Sequence, residues 1–193
     1  MSSTNSVNFS LRPNKCIERL IVFDGIERIV KVTGINRPIY IGFGSVWFSD
    51  FHLAHRLLGV EQMISIEEDD VVCQRARFNR PYHNVEIRHG KSSEVIPDLL
   101  ADETLGRLPW VIWLDYDRAL DETKVGELAE LIAKAPENSI ILSTFSAESG
   151  YGKPHQRASR LQALLGDVVP DNLTIDDCKG LQFNETLATA ALE

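Results

Sequence analysis

The stretch from Ile39 to Asp70 constrains the fold of this chain more than any other part of the sequence. A short apolar run ends in the glycine turn Gly42–Ser45, a helical pattern follows, and a second apolar run ends in Glu67. This order of strand, glycine turn, helix and strand predicts one βαβ unit. Glycines let backbone N–H groups come close to a ligand, and an acid at the tip of the second strand accepts hydrogen bonds from two ribose hydroxyls. The unit therefore predicts a pocket for a nucleoside-containing cofactor.

The nucleotide-binding pattern of NAD- and FAD-dependent enzymes fits this turn less well. That pattern has a third glycine where the helix packs closely against the first strand, and the corresponding residue here is Trp47. A tryptophan blocks such close packing, so the sequence disfavours an NAD-dependent oxidoreductase. We expect Trp47 and Phe48 to pack between the helix and the sheet, with a place in the pocket wall as the alternative for Trp47.

The composition is that of a globular protein with an ordinary core. The chain has 193 residues, of which 44% are hydrophobic and 25% charged, and this size suits one α/β domain. Residues 1–10 are polar and lack periodicity, so we expect them to be disordered and the domain to cover residues 11–193.

Cysteines, apolar runs and net charge limit the location and the partners of the protein. Its three cysteines, Cys16, Cys73 and Cys178, show no CxxC spacing, which favours a reducing cytoplasm and disfavours a structural zinc site. No apolar run is long enough to cross a bilayer, so we expect no membrane partner. The net charge of −8 makes nucleic acid a possible but not a favoured partner.

Helical and strand patterns alternate along the rest of the chain. Predicted strands cover about 39–42, 63–67, 85–87, 110–114 and 139–145, and predicted helices cover about 12–26, 47–58, 69–77, 93–100, 122–135 and 156–165. The tail predicts only two short strands, near Leu173–Ile175 and Leu181–Phe183. Strands separated by helices predict an α/β fold, a three-layer sandwich with a mostly parallel, doubly wound sheet and helices on both faces.

The helix ahead of the first strand has two possible roles. It begins near Pro13, a residue suited to the first helical turn. Its predicted apolar face consists of Ile17, Leu20, Ile21, Phe23 and Ile26. Packing at the edge of the sheet is the simpler role and the one that we favour. In the other role the helix lies over the pocket and brings a basic residue toward a substrate. The basic residues available for this are Arg12, Lys15 and Arg19.

Four residues suited to ligand binding fall at the ends of predicted strands. They are Gly42, Glu67, Gly90 and Asp115. Parallel sheets bind ligands at the carboxyl ends of their strands, near the point where the strand order reverses. Because all four residues fall on that edge, we expect them to surround one pocket.

Four segments of this core resemble the motifs of class I S-adenosylmethionine (SAM)-dependent methyltransferases. Tyr-Ile-Gly-Phe-Gly-Ser45 is similar to the glycine loop of this family, and Ile-Ser-Ile-Glu67 is similar to the segment whose acid holds the ribose. Val85–Leu99 is similar to the third segment of the small-molecule O-methyltransferases, and Trp-Val-Ile-Trp-Leu-Asp115 is similar to the fourth motif. The resemblance covers Ile39–Phe145 and implies a single Rossmann-like methyltransferase domain over residues 11–193.

The resemblance implies an activity and a set of site residues. The activity is the transfer of a methyl group from SAM to an unidentified acceptor, an oxygen or a nitrogen. The implied cofactor-binding residues are Gly42, Phe43, Gly44, Ser45, Glu67, Gly90, Lys91, Ser92 and Asp115. The implied catalytic residues are Asp115, Tyr116 and Asp117, and for Asp117 the alternative is a cap on the following helix. A Glu67 side chain turned to bulk water, or an aromatic ring in the cleft beside the glycines, would contradict this activity.

The chain departs from the family pattern at several places. Tyr40 stands where an acid often precedes the glycine loop, and the tail has little room for the antiparallel hairpin that usually ends the fold, so a truncated hairpin is one possibility. Ser143-Thr-Phe-Ser146 replaces the acid–amide pair of the metal-dependent O-methyltransferases, so we expect no catalytic metal. These departures keep an alternative open, a non-catalytic Rossmann-like module that binds a nucleotide or a partner protein. The sequence does not decide the methyl acceptor or the oligomeric state, and a dimer is possible.

Overall fold

The computed structural model describes residues 12–147 and 151–192. These residues divide into two compact units, drawn from Met1–Asp115 with Glu130–Ser143 and from Tyr116–Ala129 with Thr144–Glu193. The segment predicted to be disordered, residues 1–10, lies outside the described residues, and the single domain over residues 11–193 stays a prediction. In the part of the chain that is described, no helix combines the length and the apolar character needed to cross a bilayer.

The first unit is built on a five-stranded sheet. Its strands are β1 (Ile39–Gly42), β2 (Gln62–Glu67), β3 (Val85–His89), β4 (Trp110–Asp115) and β5 (Ile140–Thr144), in the order β3-β2-β1-β4-β5. The pairs β1–β2, β1–β4 and β2–β3 are parallel. The chain starts at the middle strand, moves outward to β3 and then returns to β4 on the other side, so the strand order reverses between β1 and β4. The predicted doubly wound, mostly parallel sheet is confirmed.

Helices of the first unit cover both faces of its sheet, as predicted. They are α1 (Pro13–Thr33), α2 (Ser49–Leu58), α3 (Asp70–Asn79) and α4 (Ser92–Ala101). α5 (Glu122–Lys134) crosses the boundary between the units, and the second unit contains α6 (Pro154–Leu165) and α7 (Gly180–Leu192). On one face, Tyr40 and Val111 of the sheet pack with Phe23 of α1 and Phe51 of α2. Side chains alternate between the faces along a strand, so Ile64 of β2 is buried on the opposite face, where α4 contacts β2.

The apolar face predicted for α1 is only partly correct. Phe23 and Ile26 are buried against the sheet. Three of the predicted residues are instead between 45% and 66% exposed, and they are Leu20, Ile17 and Ile21. The buried face continues backward from Phe23 to Arg19, because residues four apart lie on the same side of a helix. The helix therefore turns a charged residue, rather than three apolar ones, toward the sheet.

The second unit contains a helix where the sequence predicted two strands. Residues Gly180–Leu192 form α7, and residues 173–175 lie in an irregular segment, so both predicted strands are wrong. Phe183, Leu187 and Ala190 are buried together with Leu161 of α6. Apolar residues at positions i, i+4 and i+7 form one helical face, whereas a strand would bury alternate residues. Within the described residues, the tail thus provides a helix in place of the expected hairpin.

Asp69 caps the N-terminus of α3. Its side chain accepts hydrogen bonds from the backbone N–H groups of Val71 and Val72 at 2.9 and 3.0 Å. Replacing Asp69 by alanine is expected to lower the free energy of unfolding by about 1 kcal/mol, because both N–H groups lose their acceptor. Urea denaturation measures this loss. Glu68→Ala, at an exposed neighbouring acid, is the control and is expected to cost less than about 0.5 kcal/mol. Equal losses in the two variants would contradict the capping role.

Candidate active site

The residues that end the parallel strands meet at one edge of the sheet in the first unit. Gly42, Glu67 and Asp115 are the last residues of β1, β2 and β4, and Gly90 comes directly after β3. The N–H of Gly90 donates to the backbone carbonyl of Glu67 at 3.0 Å, so β2 and β3 stay together past their last residues. The structure therefore brings these four positions to the edge where sheets of this kind bind ligands.

Glu67 is buried at this edge and is held by the glycine loop. Its exposed fraction is 6%. Its Oε1 accepts from the hydroxyl of Ser65 at 3.1 Å, and that hydroxyl accepts from the N–H of Gly44 at 3.1 Å. The N–H of Ser45 also bonds to the carboxylate, but burial outweighs these bonds and raises the pKa of Glu67 to about 7. The side chain does not point to bulk water, which was the first arrangement that would contradict the predicted activity.

The glycine loop is closed on its core side by an aromatic ring. A Cβ on Gly44 would lie 2.6 Å from Oγ of Ser65 and 2.7 Å from the ring of Phe48, so no side chain fits there. Phe48 is buried and packs edge-on against Phe51, with ring centres 5.3 Å apart. An aromatic ring therefore does lie beside Gly44, which was the second arrangement of concern. This ring is part of the hydrophobic core that α2 forms with the sheet.

Trp47 and Phe48 have different environments, which corrects the expectation that both pack under the helix. α2 begins at Ser49, so both residues belong to the turn before it. Phe48 has a left-handed backbone (φ 50°) that turns its side chain into the core, whereas Trp47 is 45% exposed. The packing expected of both residues is thus found for Phe48 and is wrong for Trp47. The tryptophan lies on the surface within the same loop as Gly44.

The segment after β3 begins α4 beside the end of β2. Gly90 has a φ of 145°, a conformation that strains other residues. α4 starts at Ser92, and the N–H of Lys91 donates to the Glu94 carboxylate at 3.3 Å. Because the N–H of Gly90 donates to the backbone carbonyl of Glu67, the predicted cofactor residues Gly90, Lys91 and Ser92, which follow β3, begin beside the end of β2, the strand that carries the buried acid.

Three charged residues form a partly buried cluster that the sequence did not predict as a unit. Nε of Arg19 donates to Oδ1 of Asp50 at 2.5 Å, and its Nη2 donates to Oδ2 of Asp115 at 3.1 Å. Burial raises the pKa of Asp50 to about 6, although the charge of Arg19 opposes this shift. Of the basic residues that could reach a substrate from the N-terminal helix, Arg19 thus has its guanidinium beside the end of β4. Lys15 instead pairs with Glu18 on the helix surface.

Ser65 and Asp50 are site residues that the sequence analysis missed. Ser65 is a polar residue in a strand of mostly apolar ones, and it lies two residues before Glu67 on the same face of β2. Asp50 is an acid in the first helical turn after the glycine loop. Both signals were visible in the sequence, but acids in a first turn are common because they complement the helix dipole.

Two buried polar atoms near this cluster have no hydrogen-bond partner among the described residues. They are the hydroxyl of Tyr40 and Nε1 of Trp113. The Tyr40 hydroxyl lies 3.1 Å from the Cβ position of Gly42, and the guanidinium of Arg19 lies 5.9 Å from the Trp113 ring centre. Burial, reinforced by the charge of Asp50, raises the pKa of Tyr40 well above its usual range. Tyr40, which stands where the family pattern often has an acid, therefore has a neutral hydroxyl near the end of β1.

Tyr116 and Asp117 belong to the second unit and come directly after β4. The hydroxyl of Tyr116 donates to the buried Glu127, and Nζ of Lys124 lies 5.6 Å from the centre of its ring. Asp117 is exposed. The residue that caps α5 is Asp121, whose side chain accepts from the N–H of Lys124 at 3.0 Å. The alternative role of Asp117 as this cap is therefore wrong.

The described residues provide no ready-made metal site. Within residues 12–147 and 151–192, no three His, Cys, Asp or Glu side chains are grouped so that they could hold an ion. That the chain uses no catalytic metal stays a prediction, because it rests on the Ser143–Ser146 sequence.

Comparisons with known proteins agree with the class that the fold and the strand-end residues define. A family model described as "Putative O-methyltransferase" matches residues 7–192. The chain therefore belongs to this O-methyltransferase family and is a class I SAM-dependent methyltransferase. The alternative of a non-catalytic module is not favoured.

Thirteen chains of solved structures match this one, and one of them shows the degree of similarity. It is described as the "Crystal structure of a putative caffeoyl-CoA O-methyltransferase from Staphylococcus aureus". The sequences are 11% identical, the TM-score is 0.45, and the match covers 89% of this chain and 69% of that one. No curated protein sequence matches the chain.

Proposed function

We propose that the protein binds SAM at the carboxyl edge of its sheet and transfers the methyl group to a hydroxyl oxygen of a small molecule. The family match supports an oxygen acceptor. The proposed cofactor-binding residues are Gly42, Phe43, Gly44, Ser45, Glu67, Gly90, Lys91, Ser92 and Asp115. The proposed catalytic residues are Asp115, Tyr116 and Asp117.

The buried carboxylate of Glu67 is the observation that carries this proposal. A carboxylate can accept hydrogen bonds from two neighbouring hydroxyls at once, and the ribose of SAM has such a pair. The hydroxyl of Ser65 donates a 3.1 Å hydrogen bond to this carboxylate, and the backbone N–H of Ser45 donates another. Together they orient the Glu67 side chain. Burial removes water from the carboxylate, so a ligand that donates hydrogen bonds to it would stabilise the charged form.

The neighbouring residues suit the other parts of the cofactor. When bound, SAM supplies a methyl group on a positively charged sulfur, together with a cationic amino group. The carboxylate of Asp115 and the neutral hydroxyl of Tyr40 can both accept hydrogen bonds from that amino group. Phe48 closes the core side of Gly44, so we assign the other side of the loop to the cofactor.

The catalytic work of the chain is proposed to be positioning and proton removal. Methyl transfer is an in-line displacement, and alignment of the reacting atoms lowers its barrier by several kcal/mol. A general base lowers it further when the acceptor is a hydroxyl. Asp117 is exposed and is the proposed base. Tyr116 donates its own hydroxyl proton to Glu127, so its oxygen remains able to accept a hydrogen bond from the acceptor.

We also propose a cytoplasmic location and a small-molecule rather than a nucleic-acid partner. The cysteines Cys16, Cys73 and Cys178 are all unpaired, which suits a reducing compartment. The net charge of −8 would repel a phosphate backbone over most of the surface.

Isothermal titration with SAM tests the cofactor assignment. We expect saturable heat with the wild-type protein, and competition from S-adenosylhomocysteine, because both share the ribose that Glu67 is proposed to hold. Trp47, exposed in the glycine loop, offers a fluorescence signal that should change on binding, and Trp47→Phe should show a smaller change. No heat with millimolar SAM would overturn the proposal.

Methyl-labelled SAM tests the acceptor class. A cell extract is divided into small-molecule, protein and nucleic-acid fractions. The protein and the labelled SAM are incubated with each fraction separately. We expect label in the small-molecule fraction, in products with the stability of a methyl ether. Transfer to the protein or nucleic-acid fraction alone would contradict a small hydroxyl acceptor and leave the cofactor assignment intact.

A further inference from the structure

Arg19 connects the N-terminal helix with the end of the fourth strand. It lies on α1, whereas its partners Asp50 and Asp115 lie in the first turn of α2 and at the end of β4, at 2.5 and 3.1 Å. The ring of Trp113, two residues before Asp115 on the same face of β4, is centred 5.9 Å from the guanidinium carbon. Two carboxylates and one aromatic ring therefore surround the guanidinium, which in turn restrains Asp115.

The packing of α1 does not require a charged residue at this position. Phe23 and Ile26 already bury the same helical face in the core of the first unit. A buried ion pair generally adds little stability compared with apolar side chains of the same volume. Arg19 and Asp50 are 8% and 7% exposed, and burial raises the pKa of Asp50, so the environment disfavours its charge. A role at the strand end explains the cluster better than a role in the core.

We propose that Arg19 is a positioning residue of the methyltransferase, which holds the Asp115 carboxylate in place for the cofactor and thereby couples docking of α1 to cofactor binding. This inference rests on the proposed place of Asp115 in the SAM site. Coupling of this kind is reciprocal. SAM bound at Asp115 should therefore stabilise the docked helix, and loss of Arg19 should weaken SAM binding.

Hydrogen–deuterium exchange of α1, combined with SAM titration, tests the coupling. In the wild-type protein we expect SAM to slow amide exchange within Pro13–Thr33. Arg19→Gln is expected to weaken SAM binding about tenfold and to abolish this SAM-dependent protection. Arg19→Lys keeps the charge but lacks the fork that reaches two carboxylates, so it should be intermediate.

Arg28→Gln is the matched control. It makes the same substitution on the exposed side of α1, where Arg28 pairs with Asp24 at 2.8 Å. We expect it to keep both the SAM affinity and the SAM-dependent protection of the helix.

Thermal melting of each variant separates this role from a structural one. Lower melting temperatures with unchanged SAM affinity and unchanged protection would overturn the inference, because they indicate packing alone. If Arg19→Gln does not fold, the SAM affinity and the SAM-dependent protection of α1 are measured in Arg19→Lys instead, and they test the inference in the same way. Wild-type binding of SAM without any change in α1 exchange would also overturn it. Absence of SAM binding by the wild-type protein is a distinct result, which would overturn the proposed function and this inference with it.

Discussion

Replacing Glu67 by glutamine is expected to weaken SAM binding about tenfold to a hundredfold. Glutamine has nearly the same size but offers the ribose a neutral acceptor in place of a charged one. Titration with SAM at about pH 8, where the wild-type carboxylate with its pKa of about 7 is ionised, measures the loss. Glu68→Gln, the same change at the exposed neighbour, is the control and is expected to keep the wild-type affinity. Equal affinities of wild type and Glu67→Gln would remove Glu67 from the site.

The same substitution is expected to stabilise the cofactor-free protein at alkaline pH. The pKa of Glu67 is raised from 4.5 to about 7 in the folded state, so the folded protein holds this proton more tightly than the unfolded chain. The associated stability is fully present below about pH 4.5 and is lost as the pH rises through 7. At about 1.4 kcal/mol per pKa unit, the ionised Glu67 lowers the free energy of unfolding above pH 7 by about 3 kcal/mol. The melting temperature of Glu67→Gln should exceed that of the wild type at about pH 8 but not at about pH 4. If Glu67→Gln melts at a lower temperature than the wild type at both pH values, the Glu67 carboxylate does not carry a destabilising buried charge.

Cofactor affinity itself is expected to depend on pH through Glu67. Hydrogen bonds from the ribose favour the ionised carboxylate, so binding releases a proton below pH 7. The affinity should therefore fall by up to about tenfold per pH unit below 7 and level off above it. Titrations over this range should give a nearly flat profile for Glu67→Gln, and a flat wild-type profile would exclude this role of the carboxylate.

The order of the elements could be predicted because local patterns determine it. β4 is buried on both faces and is almost wholly apolar, and β1 ends in a glycine turn that only a few arrangements accommodate. Once the strands are parallel, their carboxyl ends must share an edge. Glu67 and Asp115 could thus be assigned to one edge of the sheet from the sequence alone.

Contacts between distant residues could not be predicted in the same way. Arg19 is separated from Asp50 by 31 residues and from Asp115 by 96, and no periodicity links them. The rotation of α1 about its axis decides that Arg19 faces the sheet while Ile17 faces solvent, and tertiary packing sets that rotation. In the tail, the alternation of Leu181 and Phe183 predicts a strand, but Phe183, Leu187 and Ala190 have the spacing of a buried helical face.

Gly44→Ala is expected to lower the free energy of unfolding by about 1–3 kcal/mol and to weaken SAM binding. The new Cβ would lie 2.6 Å from Oγ of Ser65 and 2.7 Å from the Phe48 ring. Neither neighbour can move freely, because the Ser65 hydroxyl is bonded to the Gly44 N–H and to Glu67, and the Phe48 ring packs against Phe51. The displacement must therefore reach the Glu67 carboxylate, on which cofactor binding is proposed to depend.

Gly25→Ala is the matched control for this change. Gly25 lies within α1, and a Cβ there would meet no atom within 4 Å. Alanine is the better helix former, so this variant is expected to gain about 0.5–1 kcal/mol. Opposite signs for the same chemical change would separate packing at the loop from the general effect of replacing a glycine. If urea denaturation and SAM titration instead find Gly44→Ala as stable and as tightly binding as the wild type, the loop does not hold Glu67 in place. The cofactor site would then need a different support.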